Sequence, residues 1–121
     1  MKKLLQTNNL SKTYVQTQGF FSRVRTNIHA LDNVSFSINQ GTTMAVVGES
    51  GSGKSTLAKS LVRLVNLDKG SVSFNGIDLL NLEGEKLKSV RKDIQMIFQD
   101  PYASLNPRLS ILQIMEEPLL I

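Results

Sequence analysis

The spacing of hydrophobic positions changes several times along the chain, and each spacing predicts an element. Val34, Phe36 and Ile38 alternate with Ser35, Ser37 and Asn39, the period of two that marks a half-buried strand over residues 30–39. Residues 4–10, of mixed polarity, predict an earlier strand, with residues 11–14 as its end or a turn. Residues 15–29 hold no sustained period and carry Arg23 and Arg25, so they read as a surface excursion. Met44, Ala45, Val46 and Val47 form a short continuous apolar run after the Gln40-Gly41 turn. Such a run predicts a strand buried on both faces of a parallel sheet. From Ser55 to Val65 there is no Gly or Pro, and Leu57, Leu61, Leu64 and Val65 recur on one face of a helix.

The second half repeats these signals more faintly. Residues 71–74 alternate and run into Asn75-Gly76, a strong hairpin turn that predicts a strand pair. Residues 79–92 are charged, with Leu82, Leu87 and Val90 as apolar anchors, and predict a short surface helix despite Gly84. Ile94, Gln95, Met96, Ile97 and Phe98 predict a compact apolar strand that stops at Gln99-Asp100-Pro101, where proline cannot continue a ladder. Residues 102–108 read as an irregular loop, and residues 111–121 as the opening of a helix around Leu112 and Met115 before Pro118.

Length and composition limit what these elements can build. A chain of 121 residues holds one small domain, or part of one. No long uninterrupted apolar stretch offers a membrane span, and the apolar run after Lys2-Lys3 is too short for a signal peptide. Zero cysteines exclude disulfides, thiolate zinc sites and cysteine-held clusters, in keeping with a cytosolic setting. The net charge of +4 comes from 14 basic residues spread along the chain, with few aromatics among them. Dispersed Lys and Arg form a solvated surface more readily than a nucleic-acid face, so nucleic acid is not expected as a partner.

The concentrated chemistry lies in residues 48–56, Gly-Glu-Ser-Gly-Ser-Gly-Lys-Ser-Thr. They fit the phosphate-binding pattern G-x-x-x-x-G-K-[ST], with Gly48, Gly53, Lys54 and Ser55 in the fixed places. Strand, glycine-rich loop and helix in that order put backbone N–H groups around a helix N-terminus, where the dipole favours an anion. Lys54 then reaches the outer phosphates, and the Ser55 hydroxyl can ligate Mg²⁺. The bland alternative is a glycine-rich turn capping a helix. A chance match to four fixed positions has a probability of about half a percent, and the correct flanks lower it further.

With these residues in view, the chain resembles the N-terminal part of an ATP-binding-cassette transporter ATPase. Residues 30–36, Ala-Leu-Asp-Asn-Val-Ser-Phe, precede the loop as they do in that family. Residues 97–101, Ile-Phe-Gln-Asp-Pro, resemble its Q-loop. Residues 95–108, together with the insert between Tyr14 and Ala30, are similar to the ATP-binding subunits of bacterial oligopeptide and dipeptide importers. The resemblance covers essentially the whole chain. It implies an α/β P-loop NTPase fold, incomplete, made of antiparallel β strands plus the P-loop strand-loop-helix. Residues 1–99 would be the β and P-loop core, and residues 100–121 the start of a helical subdomain.

By the same resemblance ATP and Mg²⁺ are the ligands. Tyr14 is implied to stack on adenine, Ser50, Gly51 and Ser52 to belong to the phosphate cradle with the fixed residues, and Thr56 to lie near the α-phosphate. Gln99 is implied to hold Mg²⁺ and the attacking water and to report on the γ-phosphate. By themselves, Tyr14 reads more simply as a core-edge residue and Gln99 as polar punctuation at a strand end. Asp100 reads as a cap of the following turn.

The chain departs from the family in having Gly41-Thr42 where Gly-Glu is common. Nothing in it matches the signature loop, the Walker B strand ending in Asp-Glu, or the switch histidine. The one histidine, His29, reads as an exposed loop residue. The implied protein is the ATP-binding subunit of a peptide importer, cytoplasmic and peripheral on the inner face of the membrane. Its partners would be a second ATPase subunit and integral-membrane permease subunits. The chain is expected to be an N-terminal fragment that binds nucleotide without efficient turnover and is marginally stable, its 44–47 strand lacking neighbours. Two other classes stay open: a non-catalytic fragment that docks on a membrane subunit through residues 100–117, and another small P-loop enzyme such as a kinase. For a kinase lid, Arg63, Arg91 and Arg108 are too scattered.

Overall fold

The structure, a computed structural model, describes residues 2–18, 24–100 and 105–120. Two long strands, β1 (Lys3–Gln18) and β2 (Val24–Asn39), pair antiparallel. Strand β3 (Lys69–Phe74) pairs antiparallel with the other edge of β1, and the two-residue β4 (Ile77–Asp78) with β3, giving the order β2-β1-β3-β4. The Asn75-Gly76 turn joining β3 to β4 has positive φ at both residues, 50° and 83°, the geometry that lets a two-residue loop follow the twist of its strands.

Where they are described, residues 15–29 are strand rather than a surface excursion, with Val15 opposite Asn27 and Gln16 opposite Thr26. Their lack of period has a physical reason. The backbone ladder is satisfied by pairing alone, and Val15 and Ile28 are exposed, so no buried face imposes alternation. Residues 19–23, Arg23 among them, lie outside the described residues, as do residues 101–104, which include the first part of the loop expected over 102–108.

Helix α1 (Lys54–Leu61) follows the glycine-rich loop and ends about a turn before Val65. Arg63 turns left-handed at φ 57°, and the N–H groups of Leu64 and Val65 both reach back to the Lys59 carbonyl, closing the helix end. Helix α2 (Gly84–Asp93) begins at Gly84 instead of running through it. Residues 79–83 are thereby free to sink Leu79 into the core. Helix α3 (Ile111–Leu120) continues past Pro118, which falls in its last turn and has no N–H to donate to the carbonyl one turn back.

The core is small. Leu10 of β1, Leu31 of β2 and Val72 of β3 meet Leu57 of α1, with Leu79 and Val90 of α2 completing the cluster. Leu10 and Val72 are fully buried. Two buried hydroxyls are satisfied locally: the Thr7 oxygen accepts the Phe36 N–H at 2.9 Å, and the Ser60 hydroxyl donates to the Leu57 carbonyl at 2.7 Å.

Neither apolar run expected to be a ladder strand, residues 44–47 or residues 94–98, pairs as one, and the first is not buried. Val47 is 89% exposed and Ile97 96% exposed. A strand exists only as part of a ladder, and no strand of the described residues runs beside either segment. Both segments instead line one open cavity of about 730 Å³ between α1 and β2, with Met44 and Val46 on one wall and Met96, Ile97 and Phe98 on another. Among the described residues no helix is long and apolar enough to cross a membrane.

Candidate functional site

The glycine-rich loop owes its shape to two demands that side chains would violate. Gly51 sits at φ +81° in open space, so only its backbone conformation calls for glycine. Gly53, at φ +91°, is constrained twice over, because a Cβ there would lie 2.1 Å from the Ala30 carbonyl oxygen. Loop and β2 thus touch backbone to backbone, and the start of α1 is pinned beside the strand.

Gly53 is also the N-cap of α1, and no side chain accepts a hydrogen bond from the helix start. The first N–H groups of a helix have no acceptor within it, and the first turn of α1 holds no acidic residue. The helix start is therefore electropositive and unoccupied by any acidic side chain of its own. Lys54 adds a charge at the same place. Its ammonium donates to the Gly48 carbonyl at 2.7 Å, the Glu49 carbonyl at 2.5 Å and the Ser52 hydroxyl at 3.2 Å. Three protons meet three neutral acceptors, which folds the lysine over the loop and leaves its charge uncancelled by any carboxylate.

One cavity of about 570 Å³ opens above this loop. Residues 50–56 form its floor, and Tyr14, Ile28 and Ala30 of the β1–β2 ribbon together with Gln99 complete its lining. Tyr14 and Gln99, 85 positions apart in sequence, are brought to the same cavity as Lys54, Ser55 and Thr56. Gly48 lies beneath, where Lys54 is anchored. Gln99 also lines the larger apolar cavity next door, with Asp100. No carboxylate is among the described residues lining the 570 Å³ cavity, and no group of three or more His, Cys, Asp or Glu among them is arranged to hold a metal by itself.

Several residues lie elsewhere. His29 is on β2 rather than in a loop, opposite Thr13, with its Nδ1 3.2 Å from the Thr13 hydroxyl. Arg63 donates to the Leu82 carbonyl, and with Arg91 it flanks a small cavity between α1 and α2, away from the loop. Sequence reasoning did not single out Lys12 and Asp68. Asp68 precedes β3, and its carboxylate accepts from the Lys12 ammonium at 2.9 Å and from the Thr13 N–H at 2.7 Å, beside Tyr14. These two bonds hold its carboxyl below the ordinary 3.8, the lysine contact being the larger cause. Fifty-six positions separate Lys12 from Asp68, so no local pattern could have announced the pair.

Comparison with known proteins gives the family of the chain. Residues 31–117 match the ABC transporter family. The oligopeptide transport ATP-binding protein AppF of Bacillus subtilis is 47% identical over 116 residues, which is 95% of this chain and 35% of that protein. The glutathione import ATP-binding protein GsiA of Pectobacterium atrosepticum is 45% identical over 118 residues, covering 98% of this chain and 19% of that protein. The chain thus spans about a third of the first and about a fifth of the second. Among solved structures, the ATP-binding cassette MJ0796 in a dimeric post-hydrolysis state bound to ADP and Pi superimposes with a TM-score of 0.74 at 32% identity, over 97% of this chain and 47% of that one.

Proposed function

Since the chain belongs to the ABC transporter family, we propose that it is the nucleotide-binding half of an ATP-binding subunit that drives uptake of peptide-like solutes. In the full assembly it would couple ATP binding and hydrolysis to import, at the cytoplasmic face of the membrane, beside a second ATPase subunit and integral-membrane permease subunits. The observation that carries this reading is the single cavity shared by Tyr14, residues 50–56 and Gln99. Its relatives are named as ATP-binding proteins of oligopeptide transport and of glutathione import, and glutathione is a short peptide, which is why the proposed cargo is peptide-like.

The residues divide the nucleotide between them. A triphosphate on the cavity floor meets the N-terminus of α1 and the Lys54 ammonium, and its oxygens, being charged acceptors, displace the neutral carbonyls that now hold the lysine. Gly48, Gly51 and Gly53 let the backbone approach, and Ser50, Ser52 and Thr56 add hydrogen-bonding groups around the phosphates. The Tyr14 ring offers the base a flat apolar platform beside Ile28. Ser55 and Gln99 line the same cavity, and a hydroxyl and an amide oxygen, completed by phosphate and water, suit Mg²⁺. When bound, Mg²⁺ would neutralise charge on the outer phosphates. With no carboxylate lining the cavity among the described residues, these residues bind and orient, and efficient hydrolysis draws on groups they do not include.

The test is ATP binding by the purified protein, followed by calorimetry in Mg²⁺ buffer. Lys54→Met removes the charge and keeps the stem, and should weaken ATP at least about tenfold, a loss of roughly 1.4 kcal/mol or more. Absence of ATP binding, or equal affinity in the variant, would refute the assignment. A second reading keeps the nucleotide site but makes docking on a membrane subunit the role of this chain by itself. It is favoured by α3, on which Ile111, Leu112, Met115 and Leu119 are all exposed. Co-purification with permease subunits after Lys54→Met would separate docking from nucleotide binding.

A further inference from the structure

Strand β1 leaves its regular register between Leu10 and Thr13, where its pairing with β2 shifts twice. On its other edge the pairing with β3 ends at Ser11 opposite Lys69. Beyond that point no strand of the described residues lies beside β1 on that side, and Asp68 takes the place of one. Its own N–H donates to the Ser11 carbonyl at 3.0 Å, while its carboxylate receives the Thr13 N–H at 2.7 Å. A side-chain oxygen thus continues the ladder where backbone runs out. The same carboxylate holds the Lys12 ammonium at 2.9 Å, and that ammonium lies 5.5 Å from the centroid of the Tyr14 ring. The Lys12 side chain is only 16% exposed, so its charge is fixed in place rather than sweeping through solvent.

We propose that Asp68 and Lys12 are positioning residues for the base-stacking face of Tyr14. The inference rests on the reading of the cavity as a nucleotide site. Register shifts re-aim the side chains that follow them, and here Asp68 locks the shifted segment one residue before Tyr14 from outside the ladder. Lys12 covers one face of the ring, leaving the other for a purine. An ammonium within about 6 Å of a ring draws on its π electrons, so a ring backed by Lys12 is both oriented and made a better partner for an electron-rich base. The contribution is specific to the base. Neither Lys12 nor Asp68 lines the phosphate-loop cavity, so the phosphates should not register their loss.

The experiment compares two probes on the purified protein: ATP and inorganic tripolyphosphate, which has the phosphates and no base. Lys12→Met and Asp68→Asn are each expected to weaken ATP about twofold to fivefold, the range set by a partly exposed cation–ring contact. Tripolyphosphate affinity should stay within the error of the wild type, and Lys12→Arg, which keeps the charge and the carboxylate pairing, should restore ATP affinity. Equal losses for both probes would mean a general disturbance of the loop and would overturn the proposal, as would unchanged ATP affinity in both variants. Tyr14→Ala separates this from the underlying reading. If it leaves ATP affinity unchanged, the base-platform assignment fails; if it weakens ATP while Lys12→Met and Asp68→Asn do not, only the positioning role fails.

Discussion

Val72 and Val47 are the same residue in two short apolar runs, and their surroundings differ completely. Val72 sits in β3 between β1 and β4 and is fully buried in the cluster that also holds Leu57 of α1 and Val90 of α2, while Val47 is 89% exposed. The same contrast sets the sheet against residues 94–98, where Ile97 is 96% exposed. Hydrophobicity alone does not decide burial: an apolar strand needs a ladder for its backbone as well as a face to cover its side chains. The antiparallel sheet supplies both: β1 pairs with β2 and β3 with β4, its neighbours in the chain, and β3 lies along β1 with Val72 opposite Thr7. The two continuous apolar runs carry the signature of parallel strands, and among the described residues nothing runs beside them. The glycine-rich loop lies at the junction of the two regions, close against the first at Gly53 and Ala30 and sharing a cavity with Gln99 of the second.

The sharpest way to break this contrast is to delete equivalent apolar groups on either side of it. Leu10→Ala, in the closed core, should cost about 2–5 kcal/mol of unfolding free energy. Ile97→Ser, in the open region, should fall within about 0.5 kcal/mol of the wild type. Urea titrations followed by circular dichroism would show the difference, and equal losses would mean that residues 94–98 are packed in solution. A smaller effect tests the junction. Gly53→Ala and Gly76→Ala both force alanine into positive φ, which costs about 1–2 kcal/mol. Only at residue 53 would the new Cβ also collide with the Ala30 carbonyl, since at residue 76 it would meet nothing within 4 Å. Gly53→Ala should therefore be the more destabilising of the two in thermal melts, and the only one to lower ATP affinity.

The smallest effect concerns pH. The Asp68 carboxyl is held below its ordinary value by the Lys12 and Thr13 contacts. Its contribution to stability is present in full above pH 3.8 and is lost as pH falls through the lowered value. Because the group is exposed, the change should be slight. The melting temperature of the wild type should exceed that of Asp68→Asn at pH 6, and the gap should close as pH falls below 3.8. A gap that persists at pH 2 would mean that the aspartate acts by packing rather than by charge.

The amino-acid sequence by itself determined the glycine-rich loop, the start of the helix that follows it and the Asn75-Gly76 hairpin. In each the constraint is local: glycine where φ must be positive, helical spacing over consecutive turns, and a turn pair that fixes its own register. The alternation of Val34, Phe36 and Ile38 was legible for the same reason, since one face of that segment is partly buried. Tertiary structure decided the rest. The ribbon over residues 15–18 and 24–29 pairs through backbone alone and leaves no side-chain pattern to read. Residues 44–47 and 94–98 carried the composition of strands but not the neighbours that make a strand. The gathering of Tyr14, Lys54 and Gln99 around one cavity, and the clamp of Asp68 on Lys12 and Thr13, join residues 40 or more positions apart. Contacts at that separation depend on the path of the folded chain, and no local spacing encodes them.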